Sequence, residues 1–201
     1  MPPAKTRDWY SREPGIGVVA RCSRCDYRGM TNYTGTPRGD YFDENFAENF
    51  RRIERAELLD AGDLGNEQIR GFFAWWRSHP LTPPPKSAFD ILDHHALMPN
   101  FFMMRVHDEE TFAFVLAGEE VIRMVGRNHP GRVITVDDAD EPLAIFARYL
   151  RGVVQTRNCW RCSGDLRVFE RGYRSFESID CPLTDEAGEK ITHTIGVMFE
   201  L

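Results

Sequence analysis

The stretch FAFVLAGEEVIRMVGRNHPGR, residues 112–132, decides how the rest of the chain is read. It runs from apolar residues into three glycines set among charges, a pattern that invites a phosphate-binding interpretation. A phosphate loop of the Gly-x-x-x-x-Gly-Lys-Ser/Thr type holds its ligand with backbone amides, a lysine and a hydroxyl at a helix N-terminus. Here Gly126 to Gly131 reads GRNHPG and continues with Arg132 and Val133, so the lysine and the hydroxyl are missing and Pro130 removes an amide. Gly118 to Gly126 also lacks the tight Gly-x-Gly turn of a dinucleotide fingerprint. The glycines read instead as joints. Gly118 ends a strand, Gly126 caps a short helix over Glu119–Val125 in a left-handed conformation, and Gly131 carries a loop past a sheet edge.

Before this stretch, FFMMRV and TFAFVLAG are short apolar runs joined by the polar HDEE, which predicts a β-hairpin. Further upstream, Phe46, Phe50 and Ile53 predict a helix from Asp43 to near Gly62. Asn66 caps a second helix with Ile69, Phe72, Phe73 and Trp76 on one face, stopped by His79-Pro80. PLTPPPKSAFD is a semi-rigid linker, and Ser87 with Asp90 forms a capping-box pattern opening a helix to about Leu97, closed by Pro99. Downstream, Asp140 caps a longer helix with Leu143, Phe146, Leu150 and Val153 or Val154 on one face, and Pro142 is tolerable in its first turn. WRCSGDLRVFE, RSFESIDCPL and ITHTIGVMFEL are strands, the last two joined through a turn at Gly188. In the final strand His193, Ile195, Val197, Phe199 and Leu201 alternate with Thr192, Thr194, Met198 and Glu200, as expected of a sheet covered on one face. The predicted class is α+β, an antiparallel sheet with helices packed on one face.

A chain of 201 residues with 42% hydrophobic and 28% charged residues fits one domain plus an extension. Residues 1–65, an irregular Gly/Pro-rich segment with a CxxC and one helix, read as the extension, and 66–201 as the domain. A net charge of −6 without a basic run argues against nucleic acid as a partner. The opening MPPAKTRDWYSREPG has no apolar stretch of signal-peptide length, and no run is long enough to span a membrane, so the expectation is a cytoplasmic protein. Five cysteines, an odd number, argue against a disulfide framework.

Three stretches in order, WWRSHPLTPPPKSAFDILDHHALMPNFFMMRV, FAFVLAGEEVIRMVGRNHPGR and ESIDCPLTDEAGEKITHTIGVM, resemble the PAS domains, specifically a short PAS-like family of alphaproteobacteria. The resemblance covers roughly residues 66–201 and implies a five-stranded antiparallel sheet with short helices across one face. Two strands within 101–118 and three within 160–201 fit that outline. It further implies a non-enzymatic sensory, signalling or protein-interaction domain, in many members with a small ligand between sheet and helices. In this family a basic residue and a threonine often flank the strand that ends here at Gly118; Ala113 and Glu119 stand there, so no polar ligand contact carries over. Phe102, Met104, Phe114, Leu116, Met124, Val125, Phe146 and Tyr149 would line the space under the helices, either around a small apolar ligand or as a filled core.

Cys22-Ser-Arg-Cys25 and Cys159-Trp-Arg-Cys162 each have the spacing of a zinc knuckle, and together they would complete a four-cysteine zinc site. The alternatives are unliganded thiols or a redox pair, the latter without a thioredoxin-like context. Cys181 reads as a buried strand residue. His94 and His95, adjacent on a helix, diverge too far to share one ion and read as surface or capping residues. Asp137, Asp138, Asp140 and Glu141 suit a helix N-terminus. Glu177 shares a strand face with Ile179 and Cys181, and if that face is inward its carboxylate needs a partner. No nucleophile elbow, kinase set or metalloprotease helix is present. The favoured function is a sensor that acts by association with a partner or a second copy, through the 43–61 and 66–78 helices with Phe46, Phe50, Trp75 and Trp76; the alternatives are a zinc-stabilised binding module with the PAS-like part as scaffold and, third, an enzyme, which the fold alone does not exclude.

Overall fold

Strand Ser175–Thr184 is buried at every position from Phe176 onward, and a strand buried on both sides requires cover on both faces of its sheet. A computed structural model of the chain describes residues 48, 50–126, 128–165 and 174–201. These residues lie within one unit, Asp40–Leu201. In chain order its elements are β1 (Glu54–Glu57), a 3-10 turn at Ala61–Asp63, α1 (Glu67–Ser78), 3-10 turns at Lys86–Ala88 and Ile91–Asn100, β2 (Phe101–Val106), β3 (Thr111–Ala117) and α2 (Glu119–Val125). They continue with β4 (Val133–Thr135), α3 (Glu141–Thr156), β5 (Trp160–Asp165), β6 (Ser175–Thr184) and β7 (Ile191–Glu200). Among the described residues the strands form one seven-stranded antiparallel sheet in the order β1-β5-β6-β7-β2-β3-β4.

The expected five strands are the central five, and β1 and β4 extend the sheet at its two edges. The expectation of helices on one face is corrected. On one face, α1 buries Ile69, Phe72, Phe73 and Trp76 against Phe101, Met103, Ile179, Ile195 and Val197. On the other, α3 buries Ala147, Leu150 and Val153 with Met104, Phe112 and Ile134, while Met124 of α2 meets Phe102, Phe176 and Met198. The apolar pattern supports both: Phe101 to Met104 are four consecutive buried residues, and in β7 Thr194 and Met198 are as enclosed as Ile195 and Val197. Alternation in β7 assigns residues to faces correctly, yet neither face of its middle is open to water.

Helix α1 begins where its sequence predicts, with the Asn66 side chain accepting bonds from the amides of Gln68 and Ile69 at 2.9 and 3.1 Å. Trp76 is not a surface residue: it is 1% exposed and its indole N–H donates to the Pro182 carbonyl at 2.9 Å. Its apolar area is consumed in this chain's own core rather than offered to a partner. The helix expected over 43–61 is shorter: of its described residues Glu48, Phe50 and Arg51 are helical, while Glu54–Glu57 is strand β1, paired to β5 from Glu54↔Ser163 to Glu57↔Trp160. An open sheet edge outweighs the weak helical stripe set by Ile53. Phe46 lies outside the described residues. The segment after Ser87 forms 3-10 turns rather than an α-helix, with Asp90 accepting from the Leu92 amide while Ser87 donates to Glu186. Asp140 precedes α3 without capping it through its side chain.

Glu177 is 3% exposed and faces α1, as its parity with Ile179 and Cys181 requires. Its carboxylate accepts the Gly65 amide at 3.0 Å and the Asn66 amide at 2.8 Å, and the Arg161 guanidinium stands 3.7 Å away. The buried acid thus satisfies the backbone at the point where the chain turns into α1. Removing it strands two amides. Glu177→Ala is expected to lower unfolding free energy by about 2–4 kcal/mol, while Glu177→Gln loses less because one acceptor remains. Urea denaturation of both variants checks this, and an alanine variant within 0.5 kcal/mol of wild type would refute it.

Candidate functional site

The face of the sheet beneath α2 and α3 carries polar groups in cross-strand rows, set by the register. Arg55, Cys162, Ser178 and Met198 make one row, and Trp160, Asp180, Gly196, Phe102 and Ala117 the next. Pro182, Thr194, Met104 and Phe114 make a third. Ser178, Asp180 and Thr194 are buried, at 4%, 1% and 0% exposure. Gly196 is what lets the rows close up: a Cβ there would meet the Phe102 ring at 2.1 Å, so the ring tip lies directly over its Cα.

Tyr149, projecting from α3, supplies the hydrogen bonds of the middle row. Its hydroxyl donates to Asp180 Oδ2 at 2.9 Å, with the Trp160 carbonyl as a second acceptor at 3.1 Å. Asp180 Oδ1 and the Thr194 hydroxyl are buried without a hydrogen-bond partner among the described residues. Burial pushes the Asp180 carboxyl up to about 7, against which the Tyr149 bond acts in the opposite direction. Burial likewise raises Tyr149, with the nearby Asp180 carboxylate adding to the effect. Cys162 is pushed up to about 12 by burial, opposed by the Arg55 guanidinium. Arg55 donates to the carbonyls of Ile53 and Phe50 at 2.9 and 3.1 Å and sits 4.7 Å over the Phe50 ring. Burial thus shifts Asp180, Tyr149 and Cys162 each toward the neutral form.

Of the residues expected around a pocket, Phe102, Met124, Val125 and Phe146 lie together on this face, and Met104, Phe114 and Tyr149 adjoin them. Leu116 does not. The β2–β3 register shifts between Met103 and Met104, so that Met104 pairs with Phe114 but Met103 pairs with Leu116. That β-bulge reverses the parity of β3 and sends Leu116 to the α1 face. Asp180 and Thr194 were not singled out in the sequence, although the parity opposite to Glu177 and Ile179 would have placed Asp180 on the second face. The glycines of 112–132 behave as joints: α2 follows Gly118 directly, and Gly126 ends it at φ 76°, the left-handed region expected of a C-terminal cap.

The cysteine motif is resolved differently from its spacing. Cys159, the residue just before β5, is bonded to Cys181 of β6, so the reading of unliganded thiols is corrected. Cys159 and Cys162, three apart on an extended segment, point to opposite faces: Cys159 enters the α1-side core and Cys162 the α3-side core. Cys22 and Cys25 lie outside the described residues, and among the described residues no three His, Cys, Asp or Glu side chains are grouped to hold a metal. His94 is no surface residue either. It stacks on Phe89 at 5.6 Å with the rings of Phe72, Trp75 and Phe101 edge-on around it, and burial lowers its pKa.

No family model and no curated protein matches the chain. A solved structure of an RNA-binding light-oxygen-voltage receptor is similar at a TM-score of 0.40 and 15% identity, over 74% of this chain and 38% of the receptor chain. Among the described residues no helix is long and apolar enough to cross a membrane.

Two outcomes are expected. Because the Asp180 carboxyl is raised from an ordinary 3.8 to about 7, the folded state binds the proton more tightly than the unfolded state does. Its contribution is therefore fully present below pH 4 and lost as pH rises to 7, a change on the order of 4 kcal/mol. Urea titrations of wild type and Asp180→Asn across pH 4–8 should show wild type losing stability relative to the variant over that window, and parallel curves would refute it. Second, removing the Cys159–Cys181 bond, which spans a sequence separation of 22, should cost about 3 kcal/mol. Cys181→Ala compared with oxidised and reduced wild type measures it, and identical melting of all three would show the bond to be immaterial.

Proposed function

We propose that the chain is a PAS-like sensory or protein-interaction domain, without catalysis of its own, that holds a small ligand between its sheet and α2 and α3. The observation that carries the reading is the buried face itself: apolar and aromatic side chains from β2, β3, α2 and α3 surround a few polar groups that the fold leaves unpaired. Small-molecule sites have that composition, mostly apolar walls with few convergent polar groups. The two-plus-three strand arrangement, β2 and β3 beside β5, β6 and β7, supports the PAS resemblance drawn from three sequence stretches. A carboxyl titrating near neutrality also occurs in catalytic sites. Here its neighbours Tyr149 and Cys162 are raised as well, which favours holding a ligand over activating one.

In this reading ligand occupancy is reported through association with a partner protein or a second copy. The half-buried Trp75, stacked on Phe72 at 5.2 Å, is the α1 aromatic left for such a contact once Trp76 is assigned to the core. Native mass spectrometry of freshly purified protein should find a small organic molecule retained in excess of the chain mass. Titration with apolar probes should shift the methyl NMR signals of Met104 and Met124, which lie on the site face. A bare chain mass together with unmoved methyl signals would refute the ligand-binding reading.

A further inference from the structure

We propose that the ligand of this face is an organic ammonium: an apolar body carrying a protonated amine that Asp180 and Thr194 hold. The inference rests on the ligand-site reading above and names the class of molecule the site takes. Asp180 Oδ1 and Thr194 Oγ1 are both buried and both without a hydrogen-bond partner among the described residues. The register makes them neighbours on one face. Asp180 stands opposite Gly196 on β7, and Thr194 lies two residues before Gly196 on that strand, so the two side chains flank the one position in the row that has none. The Phe102 ring covers Gly196, and with that ring turned aside a ligand atom over Gly196 meets a carboxylate oxygen on one side and a hydroxyl oxygen on the other.

Charge selects the donor. A carboxylate in an apolar enclosure calls for a cation, and the guanidinium in the adjoining row, Arg55, is committed to the carbonyls of Ile53 and Phe50. Tyr149 already donates to Oδ2, leaving Oδ1 as the free acceptor. Tyr149 from α3, Cys162 from β5 and Arg55 from β1 are the titratable groups set about this cluster, and the first two are held neutral. An anionic ligand would be repelled by Asp180, and a neutral alcohol offers a single donor. An ammonium offers three, enough for Oδ1 and the Thr194 hydroxyl together, with a charge-assisted bond to the first.

The aromatic walls fit the same class. The Tyr149 ring, edge-on to Trp160 at 5.9 Å and bonded through its hydroxyl to Asp180, places an aromatic wall beside the carboxylate. The Phe102 ring is also the part that can yield. It is a side chain resting on a glycine, and rotation about its Cα–Cβ bond frees the volume above Gly196 for the ligand body.

The probes are 2-phenylethylamine and 2-phenylethanol, of matched shape, titrated calorimetrically into the full chain at pH 8 and pH 5. The amine should bind at least about tenfold more tightly than the alcohol at pH 8, and lose that advantage at pH 5 as Asp180 takes up a proton. Asp180→Asn should bring the amine down to the level of the alcohol measured in the same variant. Thr194→Val should weaken the amine severalfold, and it decides the matter with the pH comparison if Asp180→Asn does not fold by circular dichroism. Equal affinities for amine and alcohol, insensitive to pH and to both substitutions, would overturn the ammonium assignment and leave the apolar ligand site standing. Binding of neither probe would overturn the assignment and, with a bare chain mass, the ligand site as well.

Discussion

Burial of β6 on both of its faces is the constraint from which the rest of the architecture follows. A strand whose residues from Phe176 to Thr184 are all buried can satisfy its backbone through β5 and β7, but its side chains must find partners in two separate layers. Its apolar residues do this by packing. Its polar ones divide by parity. Glu177 points to the α1 side and is fully engaged by the backbone amides of Gly65 and Asn66, which fixes where α1 starts. Asp180 points to the α3 side, where Tyr149 meets one of its oxygens and the other is left over. The same strand therefore contains a solved polar problem and an unsolved one, 3 residues apart.

Local rules read well where one local pattern decides the outcome. The Asn66 cap, the apolar stripes of α1 and α3, the hairpin of β2 and β3 and the short helix between Gly118 and Gly126 each follow from residues close in sequence, and each stands where periodicity or glycine chemistry put it. Features set by distant partners were not legible. Strand β1 exists because β5 offers an edge, and nothing within Glu54–Glu57 announces it. The second helical layer was hidden for a related reason. Alternation distinguishes two faces, but when Thr and Met occupy the second face it does not say whether water or a helix lies against it.

The candidate site shows the same division. Its apolar members were found because bulky side chains near a sheet and two helices have few places to go. Leu116 left the group through the bulge between its pairing and that of Phe114, a register event with no marker in TFAFVLA. Cys159 found Cys181 rather than Cys162, because the position just before β5 brings its Cα to 4.3 Å from that of Cys181 on β6, while an i, i+3 spacing on an extended segment sends its side chains apart. A CxxC motif implies a shared ligand only on a tight turn, and this one leads into a strand.

Asp180 bears on function because of what the fold could have used instead. A buried carboxyl that keeps one oxygen unpaired costs stability that an apolar residue of similar size would not, and its neighbours Phe102, Met104 and Tyr149 show that the layer accepts such residues. Glu177 shows that the fold can satisfy an acid on this strand with two amides and a guanidinium when structure alone is at stake. The two acids differ in what the chain provides for them. The acid that anchors α1 has its carboxylate engaged by two amides, whereas Asp180, beneath α3 and beside Gly196 and the equally unpaired Thr194, keeps one oxygen without a hydrogen-bond partner among the described residues.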